Sequence, residues 1–373
     1  MTPILFRLIE SCELLGRRWL ALTFYKQCAF VLVAYVFKNG LSDEAMNVRD
    51  AYLPASKALP EPTGYFSASI GNLVLARAFG VETVNQWIVL HFILLIFVIL
   101  TTCLLVHRHQ LVHPGILIIF IFSLSSISSL TGSLGIYDPV TFLGGIILIL
   151  ARKSHFSLLG AVIMSLGNPE QSILACLILL VLSKIQYFVE WRRRALNGLI
   201  IACVIYLLIQ SWMILHGLVI NRVTALPYFL ELSLKNFVSS PFSNLWTWFG
   251  IAWFIVISLV AYFPRRERFL LIISILGIPS FVTVITADGA RVFSLIVLPS
   301  LLVIGIWFWK NYSSRVEDIN AGVGLFLVLW ISIPTSYSWG YIGNFLANKV
   351  TYLIGDLSDY AFEVGKQISN FLN

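Results

Sequence analysis

Carboxylates are scarce in this chain, and four of them, Asp43, Glu44, Asp50 and Glu61, fall in one polar stretch from Asn39 to Tyr65, NGLSDEAMNVRDAYLPASKALPEPTGY. Only 12% of the 373 residues are charged, so this concentration of acids runs against the composition. A helix over residues 42–58 would put Asp43, Asn47, Asp50 and Pro54 along one stripe, because steps of three, four and seven residues return to the same face. Ser42 or Asp43 would cap it at the positive end of its dipole. A carboxylate held at a membrane surface in this way is suited to act as a general base toward an acceptor hydroxyl. The plainer reading is a solvated acidic loop with a capping Asp.

Three other groups of residues could do chemistry. In Asp288-Gly289-Ala290-Arg291 the Arg opens an apolar run, either paired to Asp288 across a tight turn or held at headgroup level to bind a phosphate. Arg49, Lys57, Arg77 and Arg222 are further cations that could share that task. Asn168-Pro169-Glu170-Gln171 has the form of a helix start, with Pro at the first position, but polar groups at membrane depth also line cavities. Asp138, in Gly-Ile-Tyr-Asp-Pro, reads as a turn and cap residue. His107, His109 and His113 share a loop with Arg108, and its basic character explains them better than a metal site does. His91 and His216 read as hydrogen-bonded packing residues. Cys12, Cys28, Cys103, Cys176 and Cys203 show neither disulfide nor zinc spacing, and no phosphate-binding glycine loop or hydrolase motif is present.

The elements that must position these residues are apolar. With 58% hydrophobic residues and a mean hydropathy of +0.88, the expected fold class is all-α, a polytopic transmembrane helical bundle forming one domain over residues 1–373. Apolar runs at 19–37, 86–106, 115–130, 140–151, 157–166, 172–188, 195–217, 246–263, 269–285, 291–309 and 320–336 predict about eleven segments. The first is read as an uncleaved span with Lys26 inside it, and 140–151 and 157–166 as a re-entrant pair or short crossings. Residues 65–83 and the segment from Pro227 to Trp248 are expected to lie as interfacial helices on the outer face, and the amphipathic tail after Trp339 to pack against that face.

Placing the N-terminus inside gives the inner segments fifteen of the 25 basic residues and six of the 18 acidic ones, in accord with the positive-inside rule. The net charge of +7 therefore reads as membrane topology and not as a nucleic-acid footprint. The outer loop 38–85 and the turns at Asp138, Glu170 and Asp288–Arg291 then face one side, periplasmic, extracellular or lumenal, where they could converge.

On Ser-Asp43-Glu44-Ala-Met-Asn-Val-Arg-Asp50-Ala-Tyr52 the chain resembles the GT-C superfamily of polytopic glycosyltransferases, in which an Asp, often followed by Glu, begins a surface helix in the first outer loop. The resemblance implies Asp43 as catalytic base. Asp50-Ala-Tyr52 with Ala55 and Ala58 is similar to a D-x-x-Y-x-x-A pattern of some branches, which makes Asp50 a rival. It also implies a polyprenyl-phosphate sugar donor whose phosphate is held by Arg291, with Asp288, Arg49, Tyr52, Glu170, Asn168, Gln171 and Asp138 around the substrates. The acceptor would be a glycan, lipid or protein hydroxyl, and the anomeric carbon would invert. Metal dependence stays open at this point: no metal ligand is assigned, and the outer carboxylates could hold a divalent cation, Mg or Mn. The competing readings are a transporter or flippase of a lipid-linked or small polar substrate, and a polysaccharide polymerase.

Overall fold

The computed structural model describes residues 3–39, 45–109, 111, 113–124, 127, 130–131, 134–218, 227, 230–231, 233–235, 238, 245–246, 248–284, 289–312, 320–332, 338–339 and 344–345. These are helical almost throughout, with one two-residue antiparallel pairing of Ser338–Trp339 with Asn344–Phe345. Among the described residues three helices are long and apolar enough to cross a membrane: Val84–Arg108, Gln186–Leu215 and Arg291–Asn311. Val89, Phe92, Ile93, Phe97, Leu100 and Leu104 form an exposed apolar stripe on the first, as do Leu196, Ile200, Val204 and Leu207 on the second. Such stripes belong against lipid and mark a membrane protein. The third is mostly buried, packed against Asp138–Leu150, Pro169–Leu182, Ile278–Val284 and Pro114–Phe122.

Other apolar runs form helices shorter than a crossing needs. Asp138–Leu150, Ser154–Gly167 and Pro169–Leu182 have 13, 14 and 14 residues. Each rises about 20 Å, against about 30 Å of hydrocarbon. The run expected at 172–188 ends at Leu182, where Ser183 turns its hydroxyl back to the Leu180 carbonyl and a short 3-10 helix, Gln186–Trp191, leads into Arg192–Leu215. The run expected at 19–37 is not one helix. It breaks at Leu22 and Thr23 into Pro3–Ala21 and Phe24–Asn39, which puts Lys26, exposed, in a first turn and not in mid-span.

Two helical stretches contain a single wide turn, Val48–Tyr52 and Ile273–Gly277. In each, the closing N–H reaches back five residues, Leu53 to the Val48 carbonyl and Ile278 to that of Ile273. A proline follows at once, Pro54 and Pro279. Its ring has no N–H and crowds the preceding turn, and widening that turn lets the helix continue.

The Asp138–Leu150 and Ser154–Gly167 helices form a hairpin whose backbones nearly touch. A Cβ on Gly144 would stand 2.1 Å from Met164 N, and one on Gly160 2.4 Å from Leu148 N. Only glycine permits that approach. Gly16 and Gly324 play the same part where Pro3–Ala21 crosses Asn320–Ser332. We expect Gly160→Val to destabilise the fold by about 3 kcal/mol or more, because backbone must move and not a side chain. Gly322→Ala, with nothing within 4 Å of the added methyl, should be neutral or stabilising. Melting of the two purified variants in detergent measures the contrast.

Candidate functional site

The hairpin brings several helix ends to one place. Asp138–Leu150 runs away from this end and Ser154–Gly167 returns to it, so that a Cβ on Gly167 would lie 2.5 Å from Thr141 Oγ1. Asn168 then opens Pro169–Leu182, its side-chain oxygen accepting the Gln171 N–H at 3.0 Å, with Pro169 in the first turn. Gly289–Tyr312 starts at the same level, because Arg291 meets Asp138 and, farther along, Gly145 packs on Leu298 and Pro299. Three helix N-termini therefore face one side, and their dipoles make that side positive. At the opposite end Arg194 donates to the Leu148 and Ile149 carbonyls at 3.2 and 2.7 Å, and His109 Nε2 lies 2.9 Å from that of Leu150. The Arg194 cation thus meets the negative end of the same helix.

The Asp138 end is held by a buried ion pair. Arg291 Nη1 donates to Asp138 Oδ1 at 3.0 Å, with the two side chains 5% and 1% exposed. Its Nη2 lies 3.3 Å from the Tyr137 hydroxyl, and the guanidinium sits over the Tyr137 ring, 5.1 Å from the centroid. Tyr137 in turn meets Tyr52 edge-on at 6.5 Å; Tyr52 stacks on Trp87 at 5.9 Å, and Trp87 on His91 at 5.2 Å. Trp87 Nε1 donates to the Gly135 carbonyl at 2.9 Å. Gly135 has φ +111°, where side chains rarely fit, and a Cβ there would strike Val48. A chain of rings thus joins the first-loop segment to the ion pair.

That segment, Ala45 to Ala58, is helical with its wide turn in the middle. Val48, Tyr52, Leu53, Ala55 and Ser56 are buried, while Met46, Arg49, Asp50, Pro54 and Lys57 are exposed. Asp50 accepts from Arg49 Nε at 2.7 Å, and this hydrogen bond holds its carboxyl below the usual carboxylate range. Asp50 is therefore a weak, fully ionised base while Arg49 stays in place. Arg77, considered as a phosphate ligand, donates instead to the Lys57 and Leu59 carbonyls and ties down the end of this segment.

Of the loop 38–85 and the turns at Asp138, Glu170 and Asp288–Arg291, the described parts lie near one another: Tyr52 meets Tyr137, Thr141 lies beside Gly167, and Arg291 pairs with Asp138. Asp138 does not cap its helix. It is the first helical residue, and its partner is Arg291, 153 positions away. The local reading of Arg291 with Asp288 could not anticipate this pairing, and Asp288 itself lies outside the described residues, as do Asp43, Glu44 and Arg222. Glu170 is half-buried in its first turn, and Gln171 is buried. Tyr137, Trp87 and Thr141 were not anticipated at all. The signal for Tyr137 was its place beside a lone acid at the start of an apolar run.

Among the described residues no three His, Cys, Asp or Glu side chains gather as metal ligands. Of the first-loop carboxylates that could hold a divalent cation, Asp50 gives both oxygens to Arg49, and Asp43 and Glu44 lie outside the described residues. Comparison with protein-family models, with curated proteins and with solved structures finds no match.

Removing one member of the buried pair takes the ion pair away from a charge that stays buried. Asp138→Leu and Arg291→Leu should each cost about 3–5 kcal/mol, while the double variant recovers most of the loss. Thermal unfolding of the four proteins in one detergent tests the cycle; additive losses would show that the two residues do not depend on each other.

Proposed function

We propose that this chain is a membrane glycosyltransferase of the GT-C type, which moves a sugar from a polyprenyl-phosphate donor to an acceptor hydroxyl with inversion at the anomeric carbon. The observation that carries the reading is the packing of Tyr52 against Tyr137, by which the first-loop segment that bears the exposed Asp50 adjoins the end where three helix N-termini meet. One polar end then offers both a base and a place for an anion.

The residues divide the work. Arg291, bound to Asp138, fixes the position of this end rather than reaching for ligand. The cations exposed beside the carboxylate are Arg49 and Lys57, and these meet the donor phosphate. When the phosphate draws Arg49 away from Asp50, the carboxylate loses the hydrogen bond that keeps it weak, and its basicity rises. Asp50, or Asp43 before it, then takes the proton from the acceptor hydroxyl as that oxygen attacks the anomeric carbon. The helix N-termini stabilise the charge that grows on the departing phosphate. The active face in this reading is the outer one, with the N-terminus cytoplasmic.

A second reading has an observation of its own. Asp138–Leu150, Ser154–Gly167 and Pro169–Leu182 are too short to cross and end in polar turns, as the broken helices of transporters do. In vesicles, a transporter moves its substrate and leaves it chemically unchanged.

Labelled sugar transfer by the purified protein in vesicles separates these readings. The wild type should transfer, and Asp50→Asn or Asp43→Asn should lose about 100-fold or more, whichever residue is the base, with donor binding retained. Equal rates in both variants would remove the first-loop base from the account. If Asp50 is the base, the free-enzyme acid limb of kcat/KM reports its protonation. The Arg49 hydrogen bond lowers its pKa, so that limb lies below the ordinary carboxylate range, and Arg49→Gln should move it up toward that range. A limb that stays in place in the variant would show that Arg49 does not set the base.

A further inference from the structure

Three neutral side chains near the Asp138 end are buried with polar atoms that have no hydrogen-bond partner among the described residues. Asn72, 1% exposed, has both Nδ2 and Oδ1 in this state, Thr141 its Oγ1 and Gln171 its Oε1. They come from three different segments gathered about the turn at residues 166–168. Thr141, one turn into Asp138–Leu150, packs beside Gly167. Gln171 stands in the first turn of the helix that Asn168 opens. Asn72 follows Gly71, whose α-carbon rests against the Leu166 carbonyl, where a Cβ would lie 3.0 Å from the oxygen.

Leaving such atoms unsatisfied is costly, and native proteins hold few of them. A group of them around one turn calls for a function, since apolar residues of the same size would make a more stable protein. Their chemistry is specific: the Asn amide donates and accepts, the Thr hydroxyl does both, and the Gln oxygen accepts. None carries charge. A phosphate or a metal ion would select charged partners, whereas the hydroxyls of a sugar ring, each a donor and an acceptor, suit this neutral set.

We infer that Asn72, Thr141 and Gln171 form a recognition site for the hydroxyl groups of a sugar ring. The ring belongs either to the lipid-linked donor or to a sugar acceptor, and the inference rests on the glycosyltransferase reading for what the ring is attached to. In that reading Asn72 and Thr141 are specificity residues that the first-loop motif gives no hint of.

The test uses the purified full chain in nanodiscs free of sugar-based detergent. Binding is measured for farnesyl phosphate alone, for farnesyl phosphate carrying glucose, mannose or arabinose, and for the methyl glycosides of the same sugars. At least one sugar-bearing probe should bind about tenfold or more tightly than its counterpart without the sugar. Asn72→Leu, Thr141→Val and Gln171→Met should each remove about tenfold of that gain, while Thr141→Ser, which keeps the hydroxyl, retains it. Without ligand the three apolar variants should melt at or above the wild-type temperature, which residues needed only for packing would not do. A gain carried by lipid-linked sugars places the donor ring here, and one carried by methyl glycosides places the acceptor. The site is overturned if no sugar adds to binding, or if the apolar variants bind sugar as the wild type does. Sugar-dependent binding without any transfer would leave this site standing and remove the glycosyltransferase reading. Transfer and sugar binding unchanged in all three variants would do the reverse.

Discussion

The ion pair between Arg291 and Asp138 is the interaction on which the arrangement of this end depends. Both side chains are at least nine-tenths buried, so neither can exchange its partner for bulk water. The pair joins the first turns of two parallel helices, one of them the mostly buried apolar helix. Because Tyr137 precedes Asp138 and touches Arg291, the pair also fixes the ring against which Tyr52 rests. Its contribution is positional more than energetic, since a buried ion pair gains little net stability over an apolar pair of the same shape.

Charge placement along the Asp138–Leu150 helix follows the same logic at both ends. Almost every residue of this helix is buried, so water cannot satisfy its terminal groups. Arg194 and His109 take the carbonyls at its C-terminus, and burial together with the cations Lys310, Arg194 and Arg152 depresses the His109 pKa, against the pull of the Leu150 carbonyl. At the N-terminus Asp138 supplies the opposite charge. The helix is short enough to be held entirely by such contacts, and glycine faces let it lie against its hairpin partner without intervening side chains.

Much of this was legible in the sequence where the signal is local. The apolar runs around Val84–Arg108, Arg192–Leu215 and Gly289–Tyr312 stand out by length alone, and the helix start at Asn168-Pro169 is written in its residue types. The wide turns before Pro54 and Pro279 were not anticipated, although the missing proline N–H supplies their cause. The break at Leu22 and Thr23 was hidden because apolar residues continue on both sides of it. The partner of Arg291 was hidden for a different reason. Asp288 is close in sequence and Asp138 is not, and only the packed helices bring the distant acid near. Asn72 gave no warning either, since one polar residue in Ile70–Ala78 is ordinary until its burial is known.

In the proposed reaction a weakly basic first-loop carboxylate and a positive cluster of helix ends serve a single direct displacement at a sugar's anomeric carbon. The most direct test of that reaction is stereochemical. Purified protein in vesicles would be given polyprenyl-phosphate sugars of defined anomeric configuration, carbon-13 labelled at the anomeric position, and the product read by NMR. The proposed reaction predicts transfer with complete inversion. Retention of configuration would contradict it, as would donor that crosses the membrane and is recovered unchanged.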